Sequence, residues 1–196
     1  MQNSNRRYLA ATVAAAALTF SGGLAVAGTD TTLDGQQAHA IVQQFATTLK
    51  GELEGAIKSG GPTKAVGVCK EKAPAIAASL AEQTGWKVGR TSLKLRNAAL
   101  NSPDAWEQRV LKQFDERKAA GQPVPGMTYA EVVKSDSGNT YRYMQAIPTA
   151  EVCLACHGSN IEPGLAESID QAYPDDQARG YAVGDIRGAF TLSKPL

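Results

Sequence analysis

The stretch MTYAEVVKSDSGNTYRYMQAI, residues 127–147, decides the fold class. Two runs rich in Thr, Tyr and Val, Met127 to Val133 and Thr140 to Ile147, flank the polar connection Lys-Ser-Asp-Ser-Gly-Asn. That pattern predicts a β-hairpin turning near Ser137-Gly138. A hairpin imposes antiparallel pairing, so the other elements are read as strands added to an antiparallel sheet or helices packed on it.

Working outward, Gly184 to Ser193 reads as a last returning strand, reached through a loop-rich stretch after Cys153–His157. Upstream, Ser102-Pro103-Asp104 supplies an N-cap, a first-turn proline and a first-turn acid. A helix is expected from about Pro103 to Ala119, with Trp106, Val110, Leu111 and Phe114 inward, until Gly121, Pro123 and Pro125 break the chain. Trp86 to Arg96 has strand character, with Arg90, Ser92, Lys94 and Arg96 on one face and Thr91, Leu93 and Leu95 on the other. Before it, Ala38, Ile41, Val42, Phe45, Leu49, Leu53 and Ile57 recur every three or four residues, which predicts a long amphipathic helix from Gly35 to about Ser59. Gly60-Gly61-Pro62 ends it. A second helix is expected from Thr63 to Gln83, stopped by Gly85, with Cys69, Ala73, Ile76 and Leu80 on one narrow inward face. Helices, strand, helix, hairpin and strand in that order predict an α+β domain with long N-terminal helices on an antiparallel sheet.

Length and composition agree with one domain. At 196 residues, 43% hydrophobic and 20% charged, the chain can bury one real core. Arg6 and Arg7 precede the apolar run Leu9 to Leu18, and Ala25-Val26-Ala27 offers a small-residue cleavage site, so residues 1–27 read as a secretory signal peptide. The run is shorter than the roughly 20 residues a spanning helix needs. The expected mature chain, residues 28–196, is a single exported or periplasmic domain. Cleavage removes two arginines and no acid, which turns the formal charge from +1 to −1. No basic surplus remains for nucleic acid or an anionic membrane, and neither partner is expected.

The chemistry sits in CLACH, Cys153-Leu-Ala-Cys156-His157, the C-x-x-C-H attachment sequence of c-type haem. Two thiols one helical turn apart can each add to a vinyl group of one porphyrin, and the adjacent histidine can meet the iron. A redox or disulfide C-x-x-C would also fit an oxidising compartment. Zinc would use the same donors, but it usually takes four ligands, and the other histidine, His39, is distant in sequence. The iron's second axial position could be taken by His39, Met127, Met144, Cys69 or water. Methionine would give the ligation of electron-transfer cytochromes c. Cys69 is the third of three cysteines, and a lone exposed thiol would be oxidised or cross-linked outside the cytoplasm. Its inward face is equally what a small buried hydrophobe would show. The residues alone leave both readings open.

At this point a resemblance enters. AVGVCKEKAPAIA, VGRTSLKLRN, NSPDAWE, CLACHG and YPDDQARGYAVGDIRGAF, in that order from roughly Gly35 to Ser193, resemble the c-type haem family with a PAS-like domain, formerly a domain of unknown function. The resemblance implies a PAS-like antiparallel sheet carrying one covalent haem c on Cys153 and Cys156, with His157 and Cys69 as axial ligands. Members also form the sensing regions of membrane-bound kinases and chemoreceptors. This chain shows no second hydrophobic span and no transmitter domain, so a separate redox or signalling protein is the expected partner.

Thiolate ligation predicts a low reduction potential, because added negative charge in a low-dielectric pocket is costly. Cys69, once protonated on reduction, could leave and admit a diatomic gas such as carbon monoxide, nitric oxide or oxygen. The alternative function is a small periplasmic electron-transfer cytochrome; an oxidase or peroxidase ranks below both, so no catalytic residue is assigned. Arg90, Lys94, Arg96, Arg142 and Arg187 are candidate partners for the haem propionates. Asp176, Tyr181 and Asp185 match family positions and are read as turn-bracing residues.

Overall fold

The computed structural model describes residues 31–136 and 138–196. The expected signal peptide, residues 1–27, and Ser137 of the expected turn lie outside the described residues. The hairpin forms as predicted: β2 (Thr128–Ser135) and β3 (Gly138–Pro148) pair antiparallel from Thr128↔Gln145 to Ser135↔Gly138. β4 (Ile186–Pro195) lies along the other side of β3, and β1 (Lys87–Thr91) closes the sheet in the order β1-β4-β3-β2, every pairing antiparallel. The β3–β4 register shifts between Ile147 and Pro148, where a residue without an amide hydrogen cannot continue the ladder.

The period of two along the strands divides the core. Tyr141 and Tyr143 of β3, with Phe190 and Leu192 of β4, bury against Ile41, Val42 and Phe45 of α1 (Thr31–Gly67) and Leu80 of α2 (Ala73–Thr84). Met144, Ala146 and Ala189 form a second core with Trp106, Val110, Leu111 and Phe114, the four residues expected to point inward. The structure is α+β, with a long N-terminal helix and a four-stranded antiparallel sheet.

Between the two N-terminal helices the chain bends rather than stops. Gly60 (φ −166°, ψ 18°) and Gly61 (φ 74°, ψ −177°) leave helical geometry, and the left-handed φ of Gly61 is one that glycine adopts without a steric cost. Helix resumes at once, continues to Gly67, and passes through one π-helical turn, Val68–Lys72, in which Ala73 N–H donates to Val68 O. α2 then ends at Gly85, whose amide donates to Ala81 O at 2.9 Å.

Four expectations need correcting. β1 stops at Thr91, not Arg96, because Ser92 Oγ donates to Arg187 O (2.8 Å) and accepts from Lys94 N (3.1 Å), turning the chain out of the sheet. After the short α3 (Ala98–Asn101) comes α4 (Ala105–Ala119), capped by Asp104 instead of Ser102. Asp104 Oδ1 accepts from Glu107 N (2.8 Å), while Glu107 Oε2 accepts from Asp104 N (2.9 Å), a reciprocal box that Ser102 is too early to make. The stretch expected to be loop-rich carries, beyond a 3-10 turn Glu151–Cys153 and α5 (Leu154–His157), a ten-residue α6 (Pro163–Ala172). Glu162 caps it by accepting from Gly164 N and Leu165 N, and Leu165 and Ile169 bury against Val66. Finally, β4 starts at Ile186, since Gly184 and Asp185 are occupied by backbone bonds with Thr149. Among the described residues, no helix is long and apolar enough to cross a membrane.

Candidate functional site

His157 is the last residue of α5, and its ring is fixed from behind. Nδ1 lies 2.7 Å from Ala178 O, which can only accept, so Nδ1 carries the proton and Nε2 keeps a free lone pair. Burial pushes the imidazole pKa down to about 2, with the charges of Arg187 and Arg96 adding to the effect. The ring therefore stays neutral at physiological pH, the form that ligates metals. Tyr181 N donates to His157 O at 3.0 Å, and the Tyr181 ring meets the imidazole edge-on, centroids 6.2 Å apart.

Arg96 ties this segment to the chain leaving β1. Its Nε and Nη2 fork onto the two oxygens of Asp176 (3.0 and 3.1 Å), and Nη2 also reaches Cys156 O at 2.6 Å. Burial alone would raise the Asp176 carboxyl, but bonds from Arg96 and Arg179 hold it below the usual carboxylate range. Asp176 thus braces a turn, as does Asp185, which accepts from Ala182 N at 2.7 Å.

A cavity of about 350 Å³ opens between α2 and the start of β1. Cys69, from the π-helical turn, and His157, from α5, both line it although they are far apart in sequence. Ala73, Ala77 and Ala81 present one row of small side chains along α2, and Phe45, Leu95 and Ile147 add apolar wall. Arg90, Lys94, Arg96 and Arg187 line the same space. Burial, helped by Arg187, lowers the Arg90 pKa to about 10, while negative charge on Cys69 and Tyr173 opposes that fall. Burial likewise pushes the Tyr173 phenol up to about 12, with the Cys69 charge adding. Among the described residues neither Arg90 nor Arg187 forms an ion pair with a carboxylate. Lys94 Nζ sits 4.6 Å from the Tyr181 ring centroid and donates to Arg179 O.

The other candidates fall elsewhere. Arg142 lies outside this cavity, pairing with Asp104 (2.8 Å) and Glu107 (3.3 Å) and covering the Trp106 ring at 4.2 Å. Met127 and Met144 are buried in the second core, and His39 bonds Gln145 Oε1 at 3.1 Å, so none of the three lines the cavity. Cys153 ends the 3-10 turn, half-buried, and Cys156 packs beside Leu165, Ile169 and Tyr173; neither is among the lining residues. Burial raises the Cys156 thiol above its ordinary value, and the charge of Cys69 is felt there too. Among the described residues no group of three or more His, Cys, Asp or Glu side chains is placed to hold a bare metal ion. Ala178, Tyr173 and the α2 alanines carry no motif and were not singled out by sequence; the 4-4 spacing of the alanines is the one signal that could have marked them.

The cavity therefore offers one sulfur donor, one nitrogen donor and two guanidiniums without carboxylate partners, a set suited to an anionic guest that carries a metal. Comparison with solved structures gives a match to the crystal structure of the cyanobacterial heme-protein Tll0287, with a TM-score of 0.63 and 25% sequence identity, covering 86% of this chain and 97% of that one. No curated protein sequence is matched. The Tll0287-like family matches this sequence over residues 2–195, and with nearly the whole length included, the chain belongs to the Tll0287-like family.

Proposed function

We propose that the protein binds one haem c covalently and serves as an exported, low-potential redox or gas sensor. Its family and the haem-protein it resembles support haem binding. The observation that carries the finer reading is the meeting of Cys69 and His157 on one cavity, with the two methionines and His39 elsewhere. The residues present fit the group: a flat wall of small side chains, a neutral imidazole with Nε2 free, a thiol, and unpaired arginines for propionate carboxylates. Cys153 and Cys156 would form the thioether links, Cys69 and His157 the axial bonds, and Arg90, Arg187 and Lys94 the propionate contacts. Arg96 and Arg142 are already committed to Asp176, Asp104 and Glu107.

Bound haem would supply a one-electron ferric/ferrous couple. Axial ligands move haem potentials over about 0.8 V, and a Cys69 thiolate places the couple at the low end by offsetting the ferric charge. Cys69 is also the part that can move, since it sits on a π-helical turn downstream of the Gly60-Gly61 bend. Its withdrawal on reduction would open a position for a diatomic gas and report to a separate protein partner. Residues 1–27 support export to the periplasm.

The test is optical and electron paramagnetic resonance spectroscopy of purified ferric protein beside Cys69→Ser. The substitution is expected to abolish the low-spin thiolate signature while leaving haem attached. An unchanged signature would remove Cys69 from the iron. Carbon monoxide added to reduced wild type is expected to shift the Soret band; a band that ignores it would favour the electron-carrier reading.

A further inference from the structure

The carbonyl that accepts His157 Nδ1–H is engaged by more than the histidine. Arg96 Nη2 also donates to Ala178 O, at 3.3 Å, and the neighbouring Ala178 N donates to Asp176 Oδ1 at 2.9 Å. Asp176, its side chain 1% exposed, fixes Arg96 through both carboxylate oxygens, so one buried ion pair grips the Ala178 peptide at its amide and at its carbonyl. Two donors on one oxygen compete: density drawn to the guanidinium is withheld from the imidazole N–H. The partner of the outer ring nitrogen sets a histidine's strength as a ligand.

We propose that Arg96 and Asp176 are a positioning pair that sets, through Ala178 O, how strongly His157 donates from Nε2 and hence the reduction potential of the bound group. This rests on the haem reading of the same cavity. Arg96 weakens the Nδ1–H bond and adds positive charge, and both effects favour the reduced state. Asp176 opposes both by holding and balancing the guanidinium. The two members of the pair therefore act with opposite sign, whereas a pair that only supports the fold would loosen the site in the same direction whichever member is lost.

The test is a redox titration of the purified holoprotein with dithionite through mediator dyes, one electron taking ferric to ferrous haem with no bond to His157 broken. Arg96→Gln is expected to lower the midpoint by about a tenfold change in the reduction constant, ~59 mV for one electron. Asp176→Asn is expected to raise it by a comparable amount. Arg96→Lys keeps the charge but not the fork, and is expected to recover less than about half of the Arg96→Gln shift. Arg179→Gln removes a charge that also pairs with Asp176 (2.8 Å) but makes no bond to Ala178, and is expected to move the midpoint least. Retention of the low-spin ferric signature in each variant checks that the ligands are unchanged.

Same-sign shifts from Arg96→Gln and Asp176→Asn would overturn the proposal. So would full recovery by Arg96→Lys or an equal shift from Arg179→Gln, since either assigns the effect to charge alone. Wild-type protein without covalent haem would sink the haem reading and this inference together; normal haem attachment with unmoved potentials would sink this inference only.

Discussion

At the scale of single residues, five basic side chains looked alike in the sequence, and their surroundings separate them. Arg90 and Arg187 line the cavity without a carboxylate partner, whereas Arg142 is clamped between Asp104, Glu107 and the Trp106 ring on another part of the molecule. Arg142→Met is expected to leave the visible spectrum unchanged and to lower the unfolding free energy by about 1–3 kcal/mol, because the buried Glu107 carboxylate loses its partner. A urea titration with parallel spectra checks both halves; an altered Soret band would return Arg142 to the site. Charge type was legible in the chain, but the identity of each counter-ion was not. It depends on Asp104 and Asp176 arriving from segments that no local pattern links to Arg142 or Arg96. Cys69 was legible as an inward residue, since helical spacing already grouped it with Ala73 and Leu80, both buried.

Among the elements, the strongest signals were those with a local physical cause. The hairpin, the bend at Gly60-Gly61 and the stop at Gly85 each follow from backbone preferences of the residues that make them. The end of β1 and the presence of α6 were less legible, because Ser92 turning onto Arg187 and Leu165 packing onto Val66 are distant contacts. Two glycines test the difference between local and distant cause. At Gly61 a Cβ meets nothing within 4 Å but suffers the left-handed φ, so Gly61→Ala is expected to cost about 1 kcal/mol. At Gly188 a Cβ would stand 2.4 Å from Thr91 O, and Gly188→Ala must push β1 off β4 at a cost of up to about 3 kcal/mol. Urea midpoints in that order are expected; equal midpoints would mean that the strand pair yields freely.

Across the whole molecule, the sheet separates what the candidate site needs from what it does not. The core of Trp106, Phe114 and Met144 is complete without the cavity, while α2, residues 92–96 and residues 157–181 meet around it. Protein made haem-free by Cys153→Ser and Cys156→Ser is therefore expected to exchange amide hydrogens at least about tenfold faster in those three segments, with β2, β3 and α4 still protected. A uniform rise would show that the two cores open together. One consequence lies in the π-helical turn at Val68–Lys72. The single residue it adds to a regular turn rotates everything downstream by about 100° relative to the long helix before it. That change of phase uncouples two angular demands on one continuous rod: the apolar stripe of Ile41 and Phe45 stays turned to the sheet, while Cys69 and the alanine row keep a bearing of their own toward the cavity.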